Sequence, residues 1–168
     1  MADKKVAVLR AMSTITHSTD MEQFLMLAGL SMPEVLETLK ELAQDGYVAK
    51  TKNGYAIVEK GKVALTALKQ LPNDKAFHFY LGIDQPAGIY ASSVKDFYRI
   101  LETLEAGSLE FHFDRGDFEN WLKTTVEDET MAIELADLKL EGFRGNVLRG
   151  QILLTMRARF GDDVLLRD

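Results

Sequence analysis

The dipeptide Asn53-Gly54 stands between two short β-prone segments, Tyr47 to Lys52 and Tyr55 to Val58, and constrains the fold more than any other feature. Both central positions of a type I′ turn need positive φ, which Asn and Gly adopt at least cost. The spacing therefore predicts a tight antiparallel hairpin. What precedes it reads as helix. Val6, Val8, Leu9 and Met12 follow a helical pattern over residues 4 to 12. Thr19-Asp20-Met21-Glu22 has capping-box spacing and predicts a second helix to about Ala28, with Gly29 as the turn. Ser31-Met32-Pro33-Glu34 repeats that spacing with proline in the first turn. A third helix follows, with Val35, Leu36, Leu39 and Leu42 as its buried stripe and Asp45-Gly46 as its stop. Beyond the hairpin, Glu59-Lys60-Gly61-Lys62 leads into a fourth helix containing Val63, Leu65, Leu68 and Leu71, ending near Pro72.

Three helices, a tight hairpin and a closing helix, over about residues 4 to 71, resemble the winged helix-turn-helix family, including MarR-like and PadR-like bacterial and archaeal regulators. The resemblance is carried by Ser31 to Leu42, Asp45-Gly46-Tyr47-Val48, Asn53-Gly54-Tyr55 and Glu59-Lys60-Gly61. It implies that the third helix enters the major groove of double-stranded DNA while the hairpin wing approaches the backbone or minor groove. The expected DNA contacts are Ser31, Met32, Pro33, Glu34, Glu37, Thr38 and Lys40 on the helix, and Lys50, Lys52 and Asn53 on the wing.

The chemistry of that helix pulls partly the other way. Its outward positions, which also include Glu41 and Gln44, carry three glutamates and one lysine. Glutamate can accept from the cytosine amino group but is repelled by the flanking phosphates. Compensation is available from Lys4, Lys5, Lys50, Lys52, Lys60 and Lys62, and from the hydroxyls of Ser13, Thr14, Thr16, Ser18 and Thr19. His17 in that loop suggests at most a DNA contact. The alternative is a winged helix used as a protein-protein interaction module, with Glu34, Glu37 and Glu41 meeting a basic partner.

Leu71-Pro72-Asn73-Asp74-Lys75 breaks the pattern and separates an expected domain at 1–72 from a second at 73–168, giving an α+β chain. Alternation predicts strands over Ala76 to Leu81 and Ser108 to Asp114, with His78 and His112 on their polar faces. Between them, Ser92 or Ser93 caps a helix carrying Val94, Phe97, Ile100, Leu101 and Leu104, with Gly107 after its end. In Arg115-Gly116-Asp117, an adhesion-like triplet, Asp117 reads as the cap of a helix burying Phe118, Trp121 and Leu122. A further helix turns Met131, Leu135 and Leu138 inward, with Glu127-Asp128-Glu129 as its solvated start. Phe143 to Phe160 forms the last, with Val147, Leu148, Ile152 and Met156 inward and Arg144, Arg149, Arg157 and Arg159 available to pair with this acidic half. The run from Ser108 to Leu122 looks like an uncharacterised archaeal and bacterial domain family over about residues 76 to 158. That likeness implies a second domain and no mechanism.

The 168 residues carry a formal net charge of −6, which excludes a histone-like coating protein. The halves differ: residues 1–72 hold 9 basic and 8 acidic groups, and residues 73–168 hold 11 and 18. Without cysteine there is no disulfide, thiolate metal site or cysteine nucleophile. No run approaches the roughly 18 to 20 apolar residues of a membrane span, and Met1 to Arg10 lacks a secretion-signal core, so a cytoplasmic location without membrane contact is expected. No metal-ligand spacing, nucleophile elbow or glycine-rich phosphate loop is present. The expectation is a cytoplasmic DNA-binding transcription regulator, not an enzyme, without metal or cofactor. It acts as a homodimer whose second domain dimerises or senses an effector, through the fourth helix or the surroundings of Trp121.

Overall fold

A computed structural model describes residues 1–15 and 21–166. His17 and the expected cap Thr19 lie outside the described residues. The fold is α+β, with ten α-helices and two separate two-stranded antiparallel sheets among the described residues. None of these helices is long and apolar enough to cross a membrane. The chain divides into two compact units, Met1–Leu65 with the chain end from Leu166, and Thr66–Leu165. That division falls earlier than the break at Leu71 to Lys75.

The first unit contains α1 (Asp3–Thr14), α2 (Met21–Ala28), α3 (Met32–Gln44), the hairpin strands β1 (Val48–Thr51) and β2 (Gly54–Ile57), and the start of α4 (Glu59–Leu68). Val8, Leu9, Ala28, Val35, Leu42, Tyr47 and Val48 are buried. The buried face of α3 differs from the expected stripe. It runs through Val35, Thr38 and Leu42, while Leu36 is 48% exposed. Adjacent helical residues point about 100° apart, so a face centred on Val35 turns Leu36 outward. Burial of Thr38 is tolerated because its hydroxyl donates to the Glu34 carbonyl at 2.8 Å.

The hairpin forms with a different connection. Thr51 pairs with Gly54, leaving Lys52 and Asn53 as the connecting residues, and neither has positive φ. The Thr51 hydroxyl accepts from the Asn53 amide at 3.3 Å, a local bond that offers the turn another geometry. Positive φ is moved to Gly54, at 131°. Helix α4 ends at Leu68 rather than near Pro72. Beyond it, the Leu71 amide donates to the Ser92 carbonyl at 2.7 Å, and a residue preceding proline disfavours helix.

The second unit holds β3 (Phe77–Gly82), β4 (Gln85–Ala91), α5 (Val94–Thr103), α6 (Ala106–Arg115), α7 (Asp117–Trp121), α8 (Glu129–Leu138), α9 (Gly145–Phe160) and α10 (Asp162–Leu165). A π-helical turn at Leu122–Val126 extends α7. The expected strand over Ser108 to Asp114 is instead helix α6, and Gly107 lies inside it. Leu109, Phe111 and Phe113 alternate, but Ser108, Leu109, His112 and Phe113 also share a helical face, and these four are buried. The partner of β3 is β4, in which Pro86 and Gly88 break the usual strand signature.

Phe77 and Phe79 project from β3 into an aromatic cluster with Phe97, Phe118 and Trp121, with neighbouring ring centroids 4.8–5.7 Å apart. The Trp121 indole N–H donates to the Lys75 carbonyl at 2.9 Å, so this residue is core rather than a free docking surface. On α9, Leu148, Ile152, Met156 and Phe160 form the buried stripe at intervals of four, leaving Val147 exposed. Asp128 is buried rather than solvated: it caps α8 through the Met131 amide at 3.0 Å and pairs with Arg159 at 3.1 Å.

A β-carbon at Gly61 would collide with the Tyr47 carbonyl and with Ile57, because the first turn of α4 crosses the base of the hairpin. Gly61→Ala is expected to destabilise the first unit by about 1–3 kcal/mol. Gly107→Ala, which meets nothing within 4 Å inside α6, is expected to be neutral or stabilising. Thermal unfolding of the two variants checks the contrast.

Candidate nucleic-acid interface

The N-terminus of α3 is built by its own cap. Ser31 donates to the Glu34 carboxylate through its backbone amide at 3.0 Å and its hydroxyl at 2.7 Å. Those two bonds and the Lys4 ammonium at 2.9 Å push the Glu34 carboxyl down to about 2. Ser31 and Glu34, expected to contact DNA, are thus engaged within the protein. Thr38, expected on the DNA face, is a correction: it is buried against its own helix. Lys5 bridges Glu41 at 3.1 Å and Asp45 at 2.8 Å. Lys60 donates to the Asp45 carbonyl at 2.7 Å and lies over the Tyr47 ring. Ser13 and Thr14 bond back to the Arg10 carbonyl within α1.

Met32, Pro33, Glu37 and Lys40 on α3, and Lys50, Lys52 and Asn53 on the hairpin, remain exposed. Of these, the structure brings Met32 and Asn53 to one site. Met32, Val35, Leu36 and Leu39 of α3 share an apolar pocket of about 280 Å³ with Asn53, Gly54 and Tyr55, closed by Met12, Ile15, Met21 and Phe24. Leu36 is the surface residue that the apolar periodicity concealed. The crowding of Met12, Met21, Met26 and Met32 into one short stretch was the available signal for an adaptable apolar surface.

The histidines of the second unit lie on different elements, not on one sheet face. His78, on β3, has its Nε2 3.1 Å from the Asn73 carbonyl and stacks on Tyr90. His112, on α6, is buried with both nitrogens committed: Nε2 accepts from the Tyr80 amide at 2.8 Å, which leaves the proton on Nδ1 to be donated to Asp117 at 2.8 Å. Asp117 also accepts from Arg115 Nε at 3.2 Å, so the triplet Arg115-Gly116-Asp117 closes a local network around helix entry. Among the described residues no group of three His, Asp or Glu side chains is placed to hold a metal ion. The arginines of the last segment are taken as well. Arg144 pairs with Asp114, Arg157 with Asp162 and Arg159 with Asp128, while Arg149 donates to the carbonyls of Leu101 and Leu104.

Burial pushes the His112 imidazolium below its ordinary value of 6.5, and Asp117 only partly offsets this. Its folded value lies below its unfolded one, so its contribution to stability is complete above about pH 6.5 and is lost as pH falls from there toward the folded value. His112→Gln keeps one donor and one acceptor without titrating. Urea unfolding of this variant is expected to lose the acid-side decline, whereas His112→Ala costs about 1–3 kcal/mol above pH 6.5 by leaving the Tyr80 amide unpaired.

No protein-family model, curated protein or solved structure matches this chain. What its surfaces bind therefore rests on their residues and geometry.

Proposed function

We propose that residues 1–65 form a winged helix that binds double-stranded DNA, with α3 toward the major groove and the β1–β2 hairpin along the backbone, and that the protein acts as a transcription regulator. The observation that supports this reading is the way charge is paired on and around α3. Glu34 pairs with Lys4, and Glu41 and Asp45 share Lys5. Lys40, Lys50 and Lys52 are exposed and make no ion pair among the described residues. The acidity that argued against a phosphate-facing helix is thus offset in part by α1, and cations outside these pairs lie on the helix and on the hairpin. Glu37, which makes no ion pair among the described residues, suits a cytosine amino group.

Retention on mixed genomic duplex fragments, titrated with salt, tests the reading, because each neutralised phosphate steepens the salt dependence. The full chain is expected to bind at low salt. Lys50→Ala combined with Lys52→Ala should weaken binding across all sequences and lower the salt slope by about 2, one for each phosphate left without its lysine. No retention at low salt rejects DNA binding.

A second reading, a docking surface for a partner protein, is favoured by the exposed Met32 and Leu36 beside the apolar pocket. Leu36→Lys separates the two. It abolishes apolar docking, whereas phosphate-driven binding is retained or strengthened by the added cation.

A further inference from the structure

We propose that the β3–β4 hairpin is the surface through which two copies of this chain associate, its outer face meeting the same face of the second copy. The segment from Ala76 to Val94 contains only one Asp, Glu, Lys or Arg residue, Asp84, inside a half that holds 18 acidic and 11 basic groups. Two copies of so acidic a half repel one another on average, and an interface between them is least opposed where charge is sparse. The hairpin itself brings one carboxylate, Asp84, from each side, with Arg115 and Asp117 lining the same hollow as Tyr80 and Ile83. Depletion of charge at an aromatic surface is the composition of an interface core.

The exposed side chains agree. Tyr80, Leu81, Ile83, Ile89 and Tyr90 all lie on this hairpin and all are more than a third exposed, Ile83 reaching 73%. Tyr90 is held by its stack on His78, 5.5 Å between centroids, so the patch presents preordered rings. The inner face is already committed, because Phe77, Phe79 and Ala91 are buried.

The mode of association follows from the strand edges. The outer edge of β3 is closed at Tyr80, whose amide donates to His112 and whose carbonyl accepts from Ser108 at 2.6 Å. The edge of β4 is interrupted by Pro86, which has no amide proton, and by Gly88 at φ 73°, next to shifts in register. A continuous sheet across two copies is thereby disfavoured, and the interface is made by side chains of the outer face about a two-fold axis. This association does not rest on DNA binding.

Sedimentation velocity of the full chain, from micromolar to submillimolar concentration, tests the proposal. The wild-type chain is expected to sediment as a dimer in the upper part of that range. Ile89→Lys combined with Tyr90→Lys places like charges in the interface and should weaken self-association more than roughly tenfold, while circular dichroism at concentrations where the wild-type chain is monomeric shows the variant still folded. Hydrogen exchange on the wild-type chain gives a second readout: amides of residues 77–91 should gain protection as concentration rises. A wild-type monomer throughout, a dimer persisting in the folded double variant, protection confined to other segments, or protection of the hairpin only on adding another protein would each overturn it.

Discussion

A two-stranded sheet has two free edges and too little apolar area to hold itself together in water, and both sheets of this protein have only two strands. Each hairpin therefore depends on a helix laid against it. In the first unit α4 crosses the base of β1–β2 so closely that position 61 admits no β-carbon, while Lys60 from the same turn covers the Tyr47 ring. In the second unit α6 supplies Ser108 and His112 to the β3 edge, replacing with side chains the hydrogen bonds a third strand would have made. His112 also reaches Asp117 at the start of α7, so one imidazole ties a strand to two helices. Its burial is tolerated because it is neutral and fully bonded.

The same economy governs charge. An exposed α3 bearing Glu34, Glu37 and Glu41 would repel a polyanion, but two of these carboxylates are occupied by lysines of α1. Exposed ion pairs of this sort contribute little to stability. Their consequence here is to the field outside the helix, where the unpaired lysines of α3 and the hairpin are left less opposed. In the second unit the arginines of α9 do the corresponding work, inward on Asp128 and the carbonyls at the end of α5 and at the surface on Asp162. Of the two surfaces proposed to act, one keeps lysines outside this pairing and the other carries almost no charge of its own.

Local features were legible in the chain. The Ser31 and Glu34 spacing marked the start of α3, the alternation of Phe77 and Phe79 marked β3, and the turn residues marked a hairpin between Val48 and Ile57. The turn itself falls one residue earlier than Asn53-Gly54 suggests, because the Thr51 hydroxyl competes for the Asn53 amide. Strand β4 was not legible, because Pro86 and Gly88 are breakers by composition and are accommodated only on an irregular edge. Of the candidate interface, the wing lysines and the outer positions of α3 were visible. The inward turn of Thr38 and the outward turn of Leu36 were not, since apolar spacing leaves the orientation of a helix uncertain by one residue.

By itself the sequence determined the elements whose hydrogen bonds close within a few residues: the caps at Ser31 and Ser93, the helices α1 to α3 and the presence of the first hairpin. Tertiary structure decided what depends on partners distant along the chain. The segment Ser108 to Asp114 satisfies both an alternating and a helical pattern, and it became helix because His112 finds Tyr80, 32 residues away, and β4 takes the place beside β3. On the acidic face of α3, Glu34 likewise found its counter-charge in Lys4, 30 residues away. A side chain's neighbours in sequence set its backbone; whether its charge faces solvent or a partner is set by what the fold packs against it.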